Sequence, residues 1–177
     1  ALAKAPSTHF RYLPLLPLLT GRFAPPQRIG MTPLYSRRDL AQRVGVSSLY
    51  IKDDGLNPTA SYKDRASSVG VALALENGYK VGTCASTGNA ASSFAGMAAP
   101  MAFKTHIFVP ERAPRAKVAQ LLIFGAHVYV VEGTYEHAFR LSMAMAEENR
   151  WYNRNSGINP FLVEGKKTCA FEICEQT

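Results

Sequence analysis

The sequence predicts an α/β protein built on a parallel sheet. From about residue 79 onward, short strand-like runs alternate with helical patterns, and only a few residues connect them. Alternation with such short connections favours parallel strands joined by right-handed crossovers. A hydrophobic content of 47% is sufficient for a packed core and excludes a disordered chain.

The individual elements follow from periodicity and turn residues. We expect strands at 48–52, 81–85, 105–109, 127–131 and 161–163. We expect helices around 37–43, from Lys63 to a stop at Gly78, and at 90–99, 115–124, 134–149 and from about 166. The side chains expected to face the core from the last two complete helices are Val118, Leu121, Leu122, Ala138, Leu141, Ala144 and Met145. The proline-broken apolar run at 13–19 predicts an extended arm packed on the body of the protein.

Three parts are expected along the chain. Residues 1–78 form an N-terminal arm and part of a larger domain, and residues 79–165 form a small open α/β subdomain. Residues 166–177 begin a helix leading toward a further C-terminal part. That helix has no stop signal, which is typical of a truncated pattern. We therefore expect the N-terminal portion of a longer protein.

Charge and composition exclude several function classes. The net charge is +7, but residues 1–43 hold seven basic side chains and one acidic, whereas the rest of the chain holds 13 and 12. The region that carries the motifs is nearly neutral, so a nucleic-acid partner is not expected. The three cysteines form no disulfide or metal-site pattern, which predicts no metal and reduced thiols in the cytoplasm. Without a run of 18 apolar residues, no membrane span is predicted.

Lys63 is the strongest candidate for a catalytic side chain. Gly55 and the Asn-Pro pair at 57–58 predict a loop, and Ser61 with Asp64 three residues later predicts a capping box that opens a helix. Lys63 then falls in a first helical turn, where free N–H groups and the positive dipole end disfavour an ammonium ion. A neutral amine is the form that condenses with a carbonyl group. A lysine on a solvated helix face is the alternative.

A second candidate site follows the next predicted strand. Ser86, Thr87, Gly88 and Asn89 combine two hydroxyls and a glycine with the N–H groups of a helix start. Such a loop is suited to a carboxylate or phosphate, and it lies where α/β sheets bind ligands. An ordinary helix cap is the alternative.

Neutral hydrogen-bond donors recur later in the chain. Asn155 and Ser156 are suited to a phosphate ester, although Asn-Ser-Gly is also ordinary turn chemistry before the strand predicted at 161–163. Lys166 and Lys167 are further phosphate-ligand candidates, for which a solvated lysine pair is the simpler interpretation.

Four stretches carry a family resemblance. They are Gly-Met-Thr-Pro-Leu at 30–34, Asn-Pro-Thr-Ala-Ser-Tyr-Lys-Asp-Arg at 57–65, Ser-Thr-Gly-Asn-Ala at 86–90, and the run from Asn-Ser-Gly to Lys-Lys-Thr at 155–168. In type and order they resemble the motifs of fold type II pyridoxal-phosphate enzymes, the tryptophan synthase β-subunit superfamily. Within that superfamily the lysine motif looks most like that of the threonine synthases.

The resemblance implies a role for each candidate residue. Lys63 would hold pyridoxal 5′-phosphate covalently and move protons on the substrate. Tyr62, where the family usually has Phe, would pack on the pyridine ring, and Asn89 would bond the ring hydroxyl. The implied substrate contacts are Ser86, Thr87 and Gly88 on the α-carboxylate, and Asn155 and Ser156 on the phosphate. The glycine-rich loop for the cofactor phosphate, and the Ser or Thr that faces the pyridine nitrogen, are not found in this sequence.

The implied reaction converts O-phospho-L-homoserine and water to L-threonine and phosphate. A small-molecule substrate is the expected partner, and a homodimer is a possible assembly. Threonine or serine dehydratases and cysteine synthases share the lysine and asparagine motifs, but the Asn-Pro-Thr and Asn-Ser sequences favour a threonine synthase. An alternative of another class is a folded, non-catalytic fragment.

Overall fold

A computed structural model describes residues 7–177 of the chain. The first six residues of the expected N-terminal arm lie outside this part. The strands are β1 (Leu34–Ser36), β2 (Tyr50–Lys52), β3 (Val81–Ala85), β4 (Lys104–Pro110), β5 (His127–Val131) and β6 (Tyr152–Asn153). The α-helices are α1 (Arg38–Val44), α2 (Lys63–Glu76), α3 (Asn89–Ala98), α4 (Arg115–Ile123), α5 (Tyr135–Glu148) and α6 (Phe161–Gln176).

The centre of the fold is a four-stranded sheet with the strand order β5-β4-β3-β6, in which all three pairings are parallel. This confirms the predicted fold class, and β3 and β5 have their predicted bounds. Strand β6 was not predicted, because two residues are too few to show a periodicity. β1 and β2 form a separate antiparallel pair.

Helices cover both faces of the sheet. Along β4, Ile107 and Val109 join the larger core with α2, α3 and α4, whereas Phe108 packs with Ala85 and Ala138 beneath α5. Successive residues of a strand point to opposite faces, so the part of β4 that is covered on both sides, residues 107–109, is apolar throughout.

The predicted inward faces of α4 and α5 are partly wrong. Leu122 of α4 is exposed, and so are Leu141 and Ala144 of α5. Residues four apart in sequence lie on one helix face, and the face of α5 toward the sheet carries such a row of small residues. That row consists of Ala138, Ser142 and Ala146.

The N-terminal arm packs on the body as predicted, but part of it is helical rather than extended. Residues His9–Leu15 form a 3₁₀ segment with a kink at Tyr12. Leu16 and Leu18 then enter the larger core, whereas Leu19 is exposed.

Helix α6 begins at Phe161, so the strand predicted at 161–163 and the helix start predicted near residue 166 are wrong. Asn159 explains the difference, because its Oδ1 accepts from Phe161 N at 3.1 Å and its Nδ2 donates to Asn153 O at 2.9 Å. Pro160 occupies the helix start, where a missing N–H is tolerated. The Asn-Pro pair therefore opens a helix.

The three cysteines are free thiols, of which Cys84 is buried, Cys169 half-buried and Cys174 exposed. Within residues 7–177, no group of His, Cys, Asp and Glu side chains is arranged to hold a metal ion. None of the helices in this part of the chain has the length and apolar character needed to cross a membrane.

A buried ion network joins α2 to α6 and to the segment before α2. Arg65 is fully buried; its Nε lies 2.7 Å from Asp54 Oδ2 and its Nη1 lies 2.6 Å from Glu172 Oε1. Lys52 Nζ contacts the same Glu172 at 2.8 Å. Two cations thus balance two carboxylates. Burial alone would lower the pKa of Arg65, but its bonds to Asp54 and Glu172 raise that pKa above its ordinary value.

His9 connects the N-terminal arm to this network. Its Nε2 lies 2.9 Å from Ser68 Oγ on α2, and its Nδ1 lies 3.2 Å from Thr168 Oγ1 on α6. Burial, reinforced by the positive charge of Arg65, lowers the pKa of His9 to about 3.

We expect the free energy of unfolding to fall as the pH drops below about 6.5, the ordinary pKa of histidine. The folded pKa of His9 is lowered, so the unfolded state binds the proton more tightly, and stability is lost from that pH downward. One such group contributes a slope of up to about 1.4 kcal/mol per pH unit. Urea unfolding between pH 7 and 5, above the range in which carboxylates titrate, should show a much flatter slope in His9→Gln.

The matched control for this experiment is His137→Gln. His137 is exposed and completes a capping box at the start of α5, and a glutamine at that position keeps the box. We expect this variant to keep the pH slope, because it retains the buried His9. A full slope retained in His9→Gln would contradict the assignment.

Helices α2 and α6 pack closely against each other at Gly165. A Cβ on Gly165 would overlap the carbonyl oxygen of Arg65 and lie 2.8 Å from its carbon and 3.0 Å from Ala66 Cα. We expect Gly165→Ala to lower the free energy of unfolding by about 1–3 kcal/mol, as overpacking does. Intrinsic helix propensity alone predicts the opposite sign, a gain of roughly 1 kcal/mol.

Chemical denaturation measures both the effect and its control. Gly157→Ala is the control, because nothing lies within 4 Å of a Cβ built there. We expect that variant to be close to neutral. Stabilisation by Gly165→Ala would show that the helices can separate freely.

Candidate active site

The candidate residues lie at one edge of the parallel sheet. β3 ends at Ala85 and leads to the start of α3 at Asn89, and β6 ends at Asn153, just before Asn155. Helix α2 runs into the beginning of β3 through residues 77–80, so its first residue, Lys63, lies at the same carboxyl edge. Open α/β sheets bind ligands at this edge.

Lys63 is the first residue of α2, in the predicted helical turn, but the predicted capping box is wrong. Ser61 Oγ accepts from Lys63 N at 3.0 Å. Asp64 does not return to Ser61; its carboxylate accepts from the backbone N–H of Thr59 at 2.7 Å and from the Thr59 hydroxyl. The Asp64 carboxylate thereby links the residue that follows Lys63 to the loop that precedes it.

The loop before Lys63 is held in a strained conformation. Ala60 has a φ of 53°, in the left-handed region that residues with a Cβ rarely occupy. Its N–H donates to Asn57 O at 2.8 Å, and Asn57 Oδ1 in turn accepts from Gly30 N at 2.9 Å. Backbone strain of this kind costs roughly 1–2 kcal/mol and often occurs at functional sites.

The side chain of Lys63 lies among aromatic and basic groups. Its Nζ is 5.9 Å from the centre of the Tyr62 ring, and the Tyr62 hydroxyl donates to Lys166 O at 3.0 Å. Burial lowers the pKa of Lys166, and the positive charges of Lys63 and Arg154 lower it further. These three cations therefore share one region of positive potential.

The loop between β3 and α3 has an open backbone. Ser86 Oγ accepts from Gly88 N at 3.2 Å, and Gly88 is extended just before α3. A Cβ on Gly88 would meet only Ser86 Oγ, at 4.0 Å, so a ligand can approach this backbone closely. The first turn of a helix leaves N–H groups without helical partners. These N–H groups and the half-buried Thr87 make the loop suited to binding an anion.

Asn89 is exposed, and its Oδ1 accepts from Lys117 Nζ at 3.1 Å. An ammonium group only donates hydrogen bonds, so the amide oxygen faces Lys117 and the Nδ2 donor faces away from it. Lys117 was not a predicted site residue. No signal in the sequence marks it, because 28 residues separate it from Asn89.

A cleft of about 150 Å³ brings Ser86 together with Asn155 and Ser156. The cleft lies between the β3–α3 loop, the start of α5 and the segment after β6. Its lining also includes Cys84, Tyr135, Phe139 and Arg154. Tyr62, Lys63, Thr87, Gly88 and Asn89 are not part of that lining.

Asn155 joins three elements through its side chain. Its Oδ1 accepts from Ala85 N at 2.9 Å, and its Nδ2 donates to Ser142 Oγ of α5 at 3.1 Å. These bonds give Asn155 a positioning role at the end of β3. Its contact with a substrate phosphate stays a prediction.

Arg154 is a second site residue that sequence analysis missed. It is 1% exposed; its Nη1 donates to Ser156 Oγ at 2.9 Å and its Nη2 to Ser67 Oγ at 3.1 Å. Ser67 lies one turn after Lys63 on α2, so Arg154 connects the cleft to the lysine helix. Recognition of β6 would have placed Arg154 at the carboxyl edge, but that strand has no detectable pattern.

Comparisons with known proteins identify the family of the chain. The model of the pyridoxal-phosphate dependent enzyme family matches residues 26–177. Threonine synthase from Methanocaldococcus jannaschii is 42% identical over 168 residues, which are 94% of this chain and 41% of that protein. Threonine synthase from Methanosarcina acetivorans is 40% identical over 148 residues, 83% of this chain and 36% of that protein. The chain thus spans about two fifths of the length of these relatives.

Solved structures share the fold. Maize serine racemase has a TM-score of 0.71 and 27% identity, over 82% of this chain and 44% of that one. The processed form of threonine deaminase isoform 2 from Solanum lycopersicum has a TM-score of 0.70 and 22% identity, over 82% of this chain and 40% of that one. The second likeness concerns the fold alone.

The family model covers most of the chain, including Lys63 and every other candidate residue. The chain therefore belongs to the pyridoxal-phosphate-dependent enzymes of fold type II, whose cofactor is pyridoxal phosphate.

Proposed function

We propose that this chain carries the lysine-bearing part of a threonine synthase active site. The proposed reaction converts O-phospho-L-homoserine and water to L-threonine and phosphate. The observation that carries the proposal is the position of Lys63, which starts α2 at the same sheet edge as a polar cleft with a cationic side chain. The names of the curated relatives support this choice of substrate.

The residues present fit pyridoxal phosphate. Lys63 offers an amine in a half-buried position at the start of α2. Tyr62 places an aromatic ring next to that amine. Asn89 directs an amide donor away from Lys117, and such a donor suits the ring hydroxyl of the cofactor. When bound, the cofactor supplies an electron sink for the substrate carbanion.

In this proposal the chain's own residues orient the substrate and move its protons. Lys63, once free of the cofactor, acts as general base and acid on the substrate carbon atoms. Ser86, Thr87 and Gly88 bind the α-carboxylate with hydroxyl and backbone donors. Ser156 donates to the phosphate ester, and Asn155 holds the loop that presents it.

The related dehydratases and cysteine synthases remain the second candidate, because they share the lysine and asparagine motifs. The cleft favours a phosphorylated substrate, since Arg154 is its charged lining residue. Phosphate release from O-phospho-L-homoserine, compared with keto-acid release from L-threonine, separates the two activities. We expect phosphate release to dominate.

Lys63 should be the residue that borohydride fixes to the cofactor. After reduction of the holoprotein and digestion, we expect the pyridoxyl group on the peptide containing Lys63, because this amine lies at the sheet edge. In Lys63→Ala the label should vanish and turnover should fall by several orders of magnitude, since one residue provides both the covalent link and the proton transfer.

Lys167→Ala is the matched control, because Lys167 pairs with Glu164 on the adjacent helix α6. That variant should keep the label on Lys63. Labelling of Lys52, Lys166 or Lys167 in the wild type would overturn the assignment.

Asn89 and Lys117 should tune the absorbance of the bound cofactor together. Asn89→Ala removes a hydrogen bond of about 1 kcal/mol, so we expect a shifted absorbance maximum and lower turnover while cofactor still binds. Lys117→Met should shift the maximum in the same direction but less, because it removes only the hydrogen bond that orients the Asn89 side-chain amide. Lys104→Met, which removes another exposed lysine, should leave the spectrum unchanged. An unshifted spectrum in Asn89→Ala would show that Asn89 makes no hydrogen bond to the cofactor and serves only as the first residue of α3.

A further inference from the structure

Arg154 is a buried cation without a carboxylate partner. Among residues 7–177, no Asp or Glu lies within ion-pair distance of it, and both of its side-chain bonds go to hydroxyls. Its Nε is buried with no hydrogen-bond partner in this part of the chain. Burial lowers the pKa of Arg154 below its ordinary value. Arg65, by contrast, has two carboxylates.

A guanidinium in this position is poorly compensated. Taking a charge out of water costs several kcal/mol per ion unless an opposite charge and hydrogen bonds compensate for it. A guanidinium has five N–H donors, and the bonds to Ser67 and Ser156 use two of them. Three donors therefore remain for an anion with several oxygens.

The cleft around Arg154 matches a single anionic group. Its charged lining residue is Arg154, and Ser86, Asn155 and Ser156 line it with neutral polar groups. Sites for whole small molecules measure about 300–1,000 Å³, whereas this cleft measures about 150 Å³. It therefore suits one substituent of a ligand whose remainder lies outside.

We infer that Arg154 provides the positive charge that binds the phosphate ester of the substrate and selects it over an unphosphorylated hydroxy amino acid. Arginine pairs with phosphate through parallel N–H···O bonds, which combine charge with geometric specificity. The identity of the substrate rests on the proposed function, but the binding of phosphate in the cleft does not.

Arg154 also fixes the direction of the bound group relative to Lys63. Its Nη2 is bonded to Ser67, one helical turn from the lysine, and its Nη1 is bonded to Ser156. A phosphate on Arg154 is thereby held between the lysine helix and the segment after β6. A substrate anchored at this point extends its carbon chain toward the sheet edge where Lys63 lies.

The first test measures the binding of inorganic phosphate by isothermal titration calorimetry and by the shift in melting temperature. We expect Arg154→Met to weaken binding at least tenfold and to lose the phosphate-induced rise in melting temperature. Arg140→Gln is the matched control, because it removes an equal charge from an exposed pair on α5. The control should bind phosphate like the wild type. Equal affinity in Arg154→Met would overturn the inference.

A second variant covers the case in which Arg154→Met does not fold. Ser156 is exposed, so Ser156→Ala is expected to fold, and it removes both a donor of the cleft and the partner of Arg154 Nη1. We expect it to weaken phosphate binding severalfold. Failure of the wild type to bind phosphate, or an unchanged affinity in Ser156→Ala, would also reject the site.

The second test separates this inference from the proposed function. In the holoenzyme, Arg154→Met should raise KM for O-phospho-L-homoserine at least a hundredfold, whereas Arg140→Gln should keep the wild-type KM. If the wild type releases phosphate from its substrate and the variant keeps the same KM, the inference fails and the function stands. If phosphate binds through Arg154 but the wild type releases none from the ester, the proposed function fails and the site stands.

Discussion

The bidentate contacts of Arg65 with Asp54 and Glu172 are the constraint on which the site depends. One guanidinium joins the segment before α2, the first turn of α2 and the second half of α6. Breaking a buried pair by removing one partner typically costs 3–5 kcal/mol, because the other charge stays buried. Arg65 lies two residues after Lys63. The network that holds the two helices together therefore also determines where the lysine amine lies.

The two most deeply buried arginines show how one side-chain type serves two purposes. Arg65 is neutralised by carboxylates of the protein, and its contacts are complete. Arg154, on the neighbouring β6–α6 segment, donates only to hydroxyls, lines the cleft and has a buried Nε without a partner among the described residues. A fully paired cation stabilises the fold, whereas an incompletely paired one provides binding energy for an anion. The presence or absence of carboxylate partners therefore distinguishes a structural arginine from a ligand-binding one. Burial does not, because both side chains are hidden from solvent.

The sequence predicts the parts of the fold that have a repeating pattern or a strong stop signal. β3, β5 and the start of α2 are correct because their apolar runs and turns are unambiguous. The missed elements depend on contacts between distant residues. β6 exists through pairing with Gly82 and Thr83 of β3. Helix α6 starts where it does because the Asn159 side chain accepts from Phe161 N and donates to Asn153 O. Arg154 directly follows β6, so its position in the site could not be predicted without that strand. Lys117 reaches Asn89 only after α3 and α4 have packed.

The left-handed Ala60 makes the two sides of the sheet edge unequal in their freedom to change. Its methyl group restricts the backbone where glycine would leave it adaptable, and Asn57 and Asp64 hold the two peptide groups that precede it. On the opposite side, Gly157 follows Ser156 with open space around it. The lysine side thus sets a reference geometry, and adjustment to ligands of different size falls to the segment that follows Arg154. Inherited or engineered changes in substrate range should accordingly concentrate in that segment rather than in the loop before the lysine.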